Sequence, residues 1–82
     1  MIVFKMKLIE AKTEEKLRVL EINSSQDEKR KLSSMGIHTD DFLIRLAENK
    51  WGPVLIQKFE ESATKLAIGR EIAKNILVEY VN

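Results

Sequence analysis

The chain has no cysteine, one histidine, one proline, three glycines and five aromatic residues (three Phe, one Trp, one Tyr) among 82 residues. Without cysteine there is no disulfide frame, iron–sulfur cluster or thiolate zinc site, a composition compatible with a reducing cytosol. A charge excess is missing too. Fourteen basic residues against thirteen acidic ones leave a formal charge of +1, which is no electrostatic footprint for nucleic acid or an anionic membrane. Five aromatics are also too few to stack bases over a basic face. No stretch approaches the roughly 18 apolar residues of a membrane helix. The N-terminal run from Met1 to Ile9 is broken by Lys5 and Lys7 and does not read as a signal peptide.

What is present is ordinary for a folded domain: 44% hydrophobic and 33% charged residues. Residues 1–82 read as a single domain, with no internal repeat, linker or low-complexity segment. A chain of this size buries only about 60–65% of the surface its unfolded form exposes, so the core is small.

In chain order, Glu10 to Lys16 is polar and predicts a turn or short helix. Leu17 to Ile22 is the first well-marked strand. Leu17, Val19, Leu20 and Ile22 do not share one parity, which a bulge or burial on both faces would explain. Ser25 with Glu28 three residues on forms a capping box, with Asp27 and Glu28 in the first turn and Lys29, Arg30 and Lys31 toward the other end. Leu32 and Met35 supply the apolar face of this helix, and Gly36 is placed as its left-handed C′ residue. Ile37 to Asp41 reads as a turn. Phe42 to Ala47 and Val54 to Phe59 then form an antiparallel hairpin across the loop Glu48 to Pro53, with Phe42, Ile44 and Leu46 on one face. Glu60-Glu61-Ser62 is a charged turn, Ala63 to Ile68 a fourth strand and Ile76 to Val81 a fifth. Between those two, Arg70 to Asn75 has a helical pattern with Ile72 and Ile76 four apart. Gly69 stands at the change of period and is expected to use its freedom of positive φ. The whole is mainly β with short helices: about five strands, one helix after the first strand and a helical turn before the last. That pattern points to a small barrel.

Chemistry is harder to find. His38 has no serine motif in the adjoining sequence, and the carboxylate pairs Asp40-Asp41 and Glu60-Glu61 are neighbours that a strand would point to opposite faces. No triad or phosphate loop is legible, and no catalytic residue is assigned. His38, Asp40 and Asp41 share a turn and are candidate ligands for a ferrous or similar divalent ion, with Glu71 or a second chain needed to complete the shell. The plainer reading is an exposed histidine beside two turn-forming aspartates. Trp51 is either an interface anchor or a cap on the barrel end. Arg70 is either an interaction residue or the partner of a nearby acid. Lys29 and Arg30 either touch an acidic partner or simply lie solvated at a dipole-matched helix end.

The stretch Leu66-Ala67-Ile68-Gly69-Arg70-Glu71-Ile72-Ala73-Lys74-Asn75-Ile76-Leu77-Val78 resembles the closing segment of FeoA-type domains, small cytosolic proteins of bacterial ferrous iron uptake. Lys31-Leu32-Ser33-Ser34-Met35-Gly36-Ile37, followed by Asp41-Phe42, is similar to the family's basic-Leu-x-x-hydrophobic-Gly-hydrophobic segment and the strand after it. The two blocks occur in family order. Three departures stand out: Asp40 stands where the family usually has glycine, Glu14 stands near the place of another glycine usual in the first turn, and Asn49 to Pro53 keeps only the second half of a Pro-x-Gly-Gly-Pro-like loop.

The resemblance implies an SH3-like barrel and a cytoplasmic, non-enzymatic interaction module. Its implied partner is the cytosolic part of FeoB, the membrane ferrous iron transporter, whose transport it would modulate from the water side. No cofactor is required, with weak binding of Fe²⁺ or another divalent transition metal as an accompaniment. The alternative is a metal-sensing regulatory domain, like the SH3-like C-terminal domains of metal-dependent repressors. No helix-turn-helix accompanies it in this sequence, so the chain alone would not read DNA.

Overall fold

Alternating apolar residues and a few strong local signals set most of the secondary structure. The computed structural model describes residues 5–47, 50–59 and 64–81. Six strands form one antiparallel sheet: β1 (Met6–Lys7), β2 (Lys16–Ile22), β3 (Phe42–Arg45), β4 (Val54–Lys58), β5 (Lys65–Ile68) and β6 (Ile76–Tyr80). Their order across the sheet is β1-β6-β2-β3-β4-β5. Two short α-helices, α1 (Gln26–Ser34) and α2 (Arg70–Ala73), and a 3-10 turn at Leu8–Glu10 complete the domain. This is the mainly β architecture implied by the sequence, with the two-residue β1 added to the expected five strands. The Glu60-Glu61-Ser62 turn and the Glu48-Asn49 part of the hairpin loop lie outside the described residues.

The mixed parity of β2 has the physical cause anticipated for it. Its register against β6 runs Val19↔Val78 and then Glu21↔Leu77, so one residue is inserted between the two pairs. That bulge turns the chain so that Leu17 and Val19 are fully buried while Leu20 and Ile22 remain half-buried. In β3 the inward residues are Leu43 and Arg45, and Phe42 and Ile44 share the outward face. One core cluster joins Leu17, Val19, Ile56, Ile68, Ile76 and Val78 of the sheet to Leu32 of α1 and Ala73 of α2.

Helix α1 begins and ends as its sequence dictates. Ser25 Oγ accepts from the Glu28 N–H at 3.2 Å, and Glu28 Oε1 accepts from the Ser25 N–H at 3.2 Å. At the other end Gly36 takes φ +80°. The Ile37 N–H then reaches Leu32 O and the Gly36 N–H reaches Ser33 O, both at 2.9 Å. This is a Schellman closure, and its accompanying apolar contact is the buried pair Leu32 and Ile37.

Gly69 departs from expectation. Its φ of −56° and ψ of 145° are extended geometry open to any residue, and a Cβ built there would meet nothing within 4 Å. The strand passes into α2 through an ordinary N-cap conformation, so positive φ is not needed. The residue that α2 buries is Ala73, with Ile72 partly covered, and the helix packs on the 3-10 turn to close one end of the sheet.

Glu14 and Asp40, the two residues at or near which the resemblance implies glycine, both use the left-handed region. Glu14 has φ 63° and Asp40 has φ 73°. Their amides are anchored to the sheet, Glu14 N to Arg45 O and Asp40 N to Val19 O, each at 2.7 Å. Both loops therefore adopt a conformation to which glycine is better suited than the residue present.

Candidate functional site

The β3–β4 hairpin pairs Arg45 with Ile56, and the Leu46 N–H donates to Leu55 O at 2.9 Å beyond the strand end. The loop it carries brings Trp51 to the surface, where 92% of the residue is exposed. The end-cap reading of Trp51 is therefore overturned: a tryptophan covering the barrel would have lost most of that area. The register Val54↔Ile68 sets this loop beside the start of α2. There Arg70 Nη1 lies 3.5 Å from Gly52 O and donates to it. Two candidates chosen on separate grounds, Trp51 and Arg70, thus meet at one end of the sheet. The half-buried guanidinium steadies the loop that presents the indole.

Lys29 and Arg30 do not belong to that patch. Arg30 pairs with Asp27 at 3.8 Å with both side chains in solvent, the dipole-matched helix surface of the plainer reading. Lys29 instead lines an open cleft with Ile22, Ser33, Ile37, His38 and Thr39, about 420 Å³ in volume.

In the turn after α1, His38 and Asp41 come together while Asp40 does not join them in a ligand set. Asp41 Oδ2 accepts from the His38 N–H at 2.7 Å and lies 3.5 Å from His38 Nδ1. Among the described residues, no three His, Asp or Glu side chains converge on a point that would hold a metal ion. The reason is local: Asp41 is turned back onto its own turn, Asp40 sits in a left-handed step, and Glu71 pairs with Lys74 at 3.2 Å.

The structure also supplies the serine that the sequence did not place beside His38. Ser33 Oγ lies 3.2 Å from His38 Nε2, so hydroxyl, imidazole and carboxylate stand in line. The order is that of a nucleophilic triad, but the surroundings are wrong for acyl transfer. Ser33 occupies the last turn of α1, where amides are spent inside the helix and the helix end is negative. The amides around Ser33 are spent in the helix and its closure, so among the described residues no oxyanion hole of backbone N–H donors is left for an acyl-transfer intermediate.

Two further features were not singled out from sequence. Arg45 is only 3% exposed, and its Nη1 donates to Ile9 O at 2.8 Å and Ala11 O at 2.9 Å. It ties the 3-10 turn to β3, and its Nε has no hydrogen-bond partner among the described residues. On the outward face of the sheet, Lys16 Nζ lies 4.7 Å from the centre of the Phe42 ring and 4.9 Å from that of Phe59. The alternation of β2 and β3 put Lys16 and Phe42 on a common face, but only the strand register brings the two rings together.

No curated protein matches the sequence. Several solved structures share its fold. A crystal structure of an iron uptake regulatory protein (FeoA) is 24% identical, superposes with a TM-score of 0.83 and matches 95% of this chain and 100% of its own. An FeoA-like protein from Clostridium acetobutylicum is 23% identical with a TM-score of 0.79, over 100% of this chain and 92% of its own. A manganese-dependent transcriptional repressor is 19% identical with a TM-score of 0.86, but its matching part is only 44% of that chain against 99% of this one. The architecture is the SH3-like fold of FeoA proteins and of a portion of such repressors. A family model described as the FeoA domain matches residues 6–80, and the chain belongs to the FeoA family.

Proposed function

We propose that this domain is a cytoplasmic, non-catalytic accessory of ferrous iron uptake. It docks on the cytosolic part of an FeoB-like membrane transporter and modulates transport. The observation that carries this reading is the indole of Trp51, 92% exposed on a loop that Arg70 braces from α2. Exposing an indole is unfavourable in water, and burying one against a partner supplies large contact area at small entropic cost. SH3-like surfaces take up extended segments beside aromatic loop residues. No helix of the described residues is long and apolar enough to cross a membrane, so the contact assigned here is with the transporter's water-exposed part.

The test is calorimetric titration of the domain into the isolated cytosolic G domain of the transporter, with Trp51→Ala as the variant. An anchor of this kind is worth about 2 kcal/mol or more, roughly thirtyfold in Kd. Unchanged affinity in a variant that still folds would sink the proposal.

A second reading, a metal-sensing regulatory domain, is favoured by the fold shared with a manganese-dependent repressor. It stands behind the first because Asp41, its best-placed carboxylate, is engaged with His38. Saturable shifts of His38, Asp40 and Asp41 on addition of Mn²⁺ or Fe²⁺ would reverse that order.

A further inference from the structure

We infer that the cleft between α1 and the turn after it is a binding site for an oxyanion carried on a small apolar body. The cleft is lined by Ile22, Lys29, Ser33, Ile37, His38 and Thr39 and has a volume of about 420 Å³. This inference stands apart from the Trp51 surface and from the reading built on it.

The argument starts from charge. Lys29 contributes an ammonium group, Ser33 and Thr39 contribute hydroxyls, and His38 contributes an imidazole; among the described residues no carboxylate lines the cleft. Asp41 lies behind the ring on Nδ1, on the side opposite Ser33. A divalent cation entering the cleft would meet the Lys29 charge with no anion to offset it. An anion would meet a cation and up to two hydroxyl donors. Of the residues that suggested a metal site in the sequence, only His38 lines this cleft, whose other polar groups have the opposite preference.

Geometry adds a second element. Ser33 Oγ lies 3.2 Å from His38 Nε2 and Asp41 Oδ2 lies 3.5 Å from Nδ1, so the imidazole stands between the hydroxyl at the cleft and the carboxylate behind the ring. The α1 C-terminus opposes an anion, but its Lys31, Leu32 and Ser33 carbonyls are already capped by Met35, Ile37 and Gly36. Half-buried Ile22 gives the cleft its apolar surface, Ile37 beside it being only 1% exposed, so the ligand is an oxyanion with a small body and not a bare ion.

The experiment is an NMR titration of the labelled domain with four probes: butyrate, inorganic phosphate, butylammonium and Mn²⁺. Saturable shifts of Lys29, Ser33, His38 and Thr39 are expected with butyrate. Phosphate is expected to bind the same residues several-fold more weakly because it lacks the aliphatic part. A phosphate response equal to that of butyrate would remove the apolar body from the assignment. Butylammonium should leave the cleft unmoved. Lys29→Glu should abolish the butyrate response, and Ser33→Ala should weaken it several-fold, with the spectrum elsewhere unchanged. Response to butylammonium equal to that of butyrate, Mn²⁺ binding at the cleft, or butyrate shifts that survive Lys29→Glu would each overturn the assignment.

Discussion

Replacing Glu14 by glycine should make this protein more stable, although it deletes a side chain and adds nothing. Glu14 is exposed, and its backbone holds φ 63°, a left-handed conformation that crowds the Cβ of any L-residue. That crowding costs roughly 1–2 kcal/mol. Glycine removes it, but the unfolded chain becomes freer by roughly 0.5–1 kcal/mol. The difference favours the variant by about 0.5–1 kcal/mol. The contact that anchors this step, from the Glu14 N–H to Arg45 O at 2.7 Å, is a backbone bond and survives the change. For a domain of this size the gain corresponds to a rise in Tm of about 2–8 °C. Urea denaturation followed by far-UV circular dichroism provides the assay, with the midpoint moving up and the slope m unchanged. Glu14→Ala is the control: it removes the same carboxylate and keeps the strain, so it should show no comparable gain. Asp40→Gly, at φ 73°, should gain less, because aspartate tolerates this region better than glutamate. A Glu14→Gly midpoint at or below that of the parent would refute the reasoning, as would an equal rise in Glu14→Ala.

The other substitutions probe the same balance elsewhere. Gly69→Ala should change stability by less than about 0.5 kcal/mol in the same denaturation assay, because φ is −56° and the space for a Cβ is open while alanine is the poorer N-cap for α2. Gly36→Ala should cost about 1 kcal/mol, since φ is +80° and the new Cβ would lie 3.0 Å from Lys58 Nζ. Arg45→Met should cost about 2–4 kcal/mol by leaving the Ile9 and Ala11 carbonyls unpaired in the interior. Amide hydrogen exchange should show the loss first in the 3-10 turn at Leu8–Glu10.

The parts of this fold that could be read from sequence are those whose causes are local. The capping box of α1 and the Gly36 closure need only residues within a turn or two, and both occur as the spacing requires. The parity break in β2 was legible as an irregularity, and the bulge against β6 accounts for it. Where a distant partner decides, the sequence was silent or pointed elsewhere. β1 exists only because Met6 and Lys7 find Val78 and Leu77 at the far end of the chain. The inward face of β3 was obscured because a buried position is held by Arg45, which carbonyls of another segment accommodate. Gly69 is the opposite case: glycine permits positive φ without requiring it, and the backbone there is ordinary. At the surface, Trp51 and Arg70 were each visible as candidates, yet their meeting through Gly52 depends on the β4–β5 register. The regrouping of Lys29 with His38 likewise depends on how α1 turns back over Ile22.

The position of β6 has a consequence for how the protein comes to be made. This strand lies between β1 and β2 and hydrogen-bonds to both, so an interior place in the sheet stays open until Ile76–Tyr80 has been synthesised, after every other strand described. During translation β3, β4 and β5 can pair with their neighbours in sequence, while β2 waits with one edge bare. Closure across such sequence separations is slow, on the order of milliseconds to seconds for small β proteins. For that interval the nascent chain carries an apolar, unpaired strand edge, the kind of surface that chaperones and aggregating neighbours both recognise.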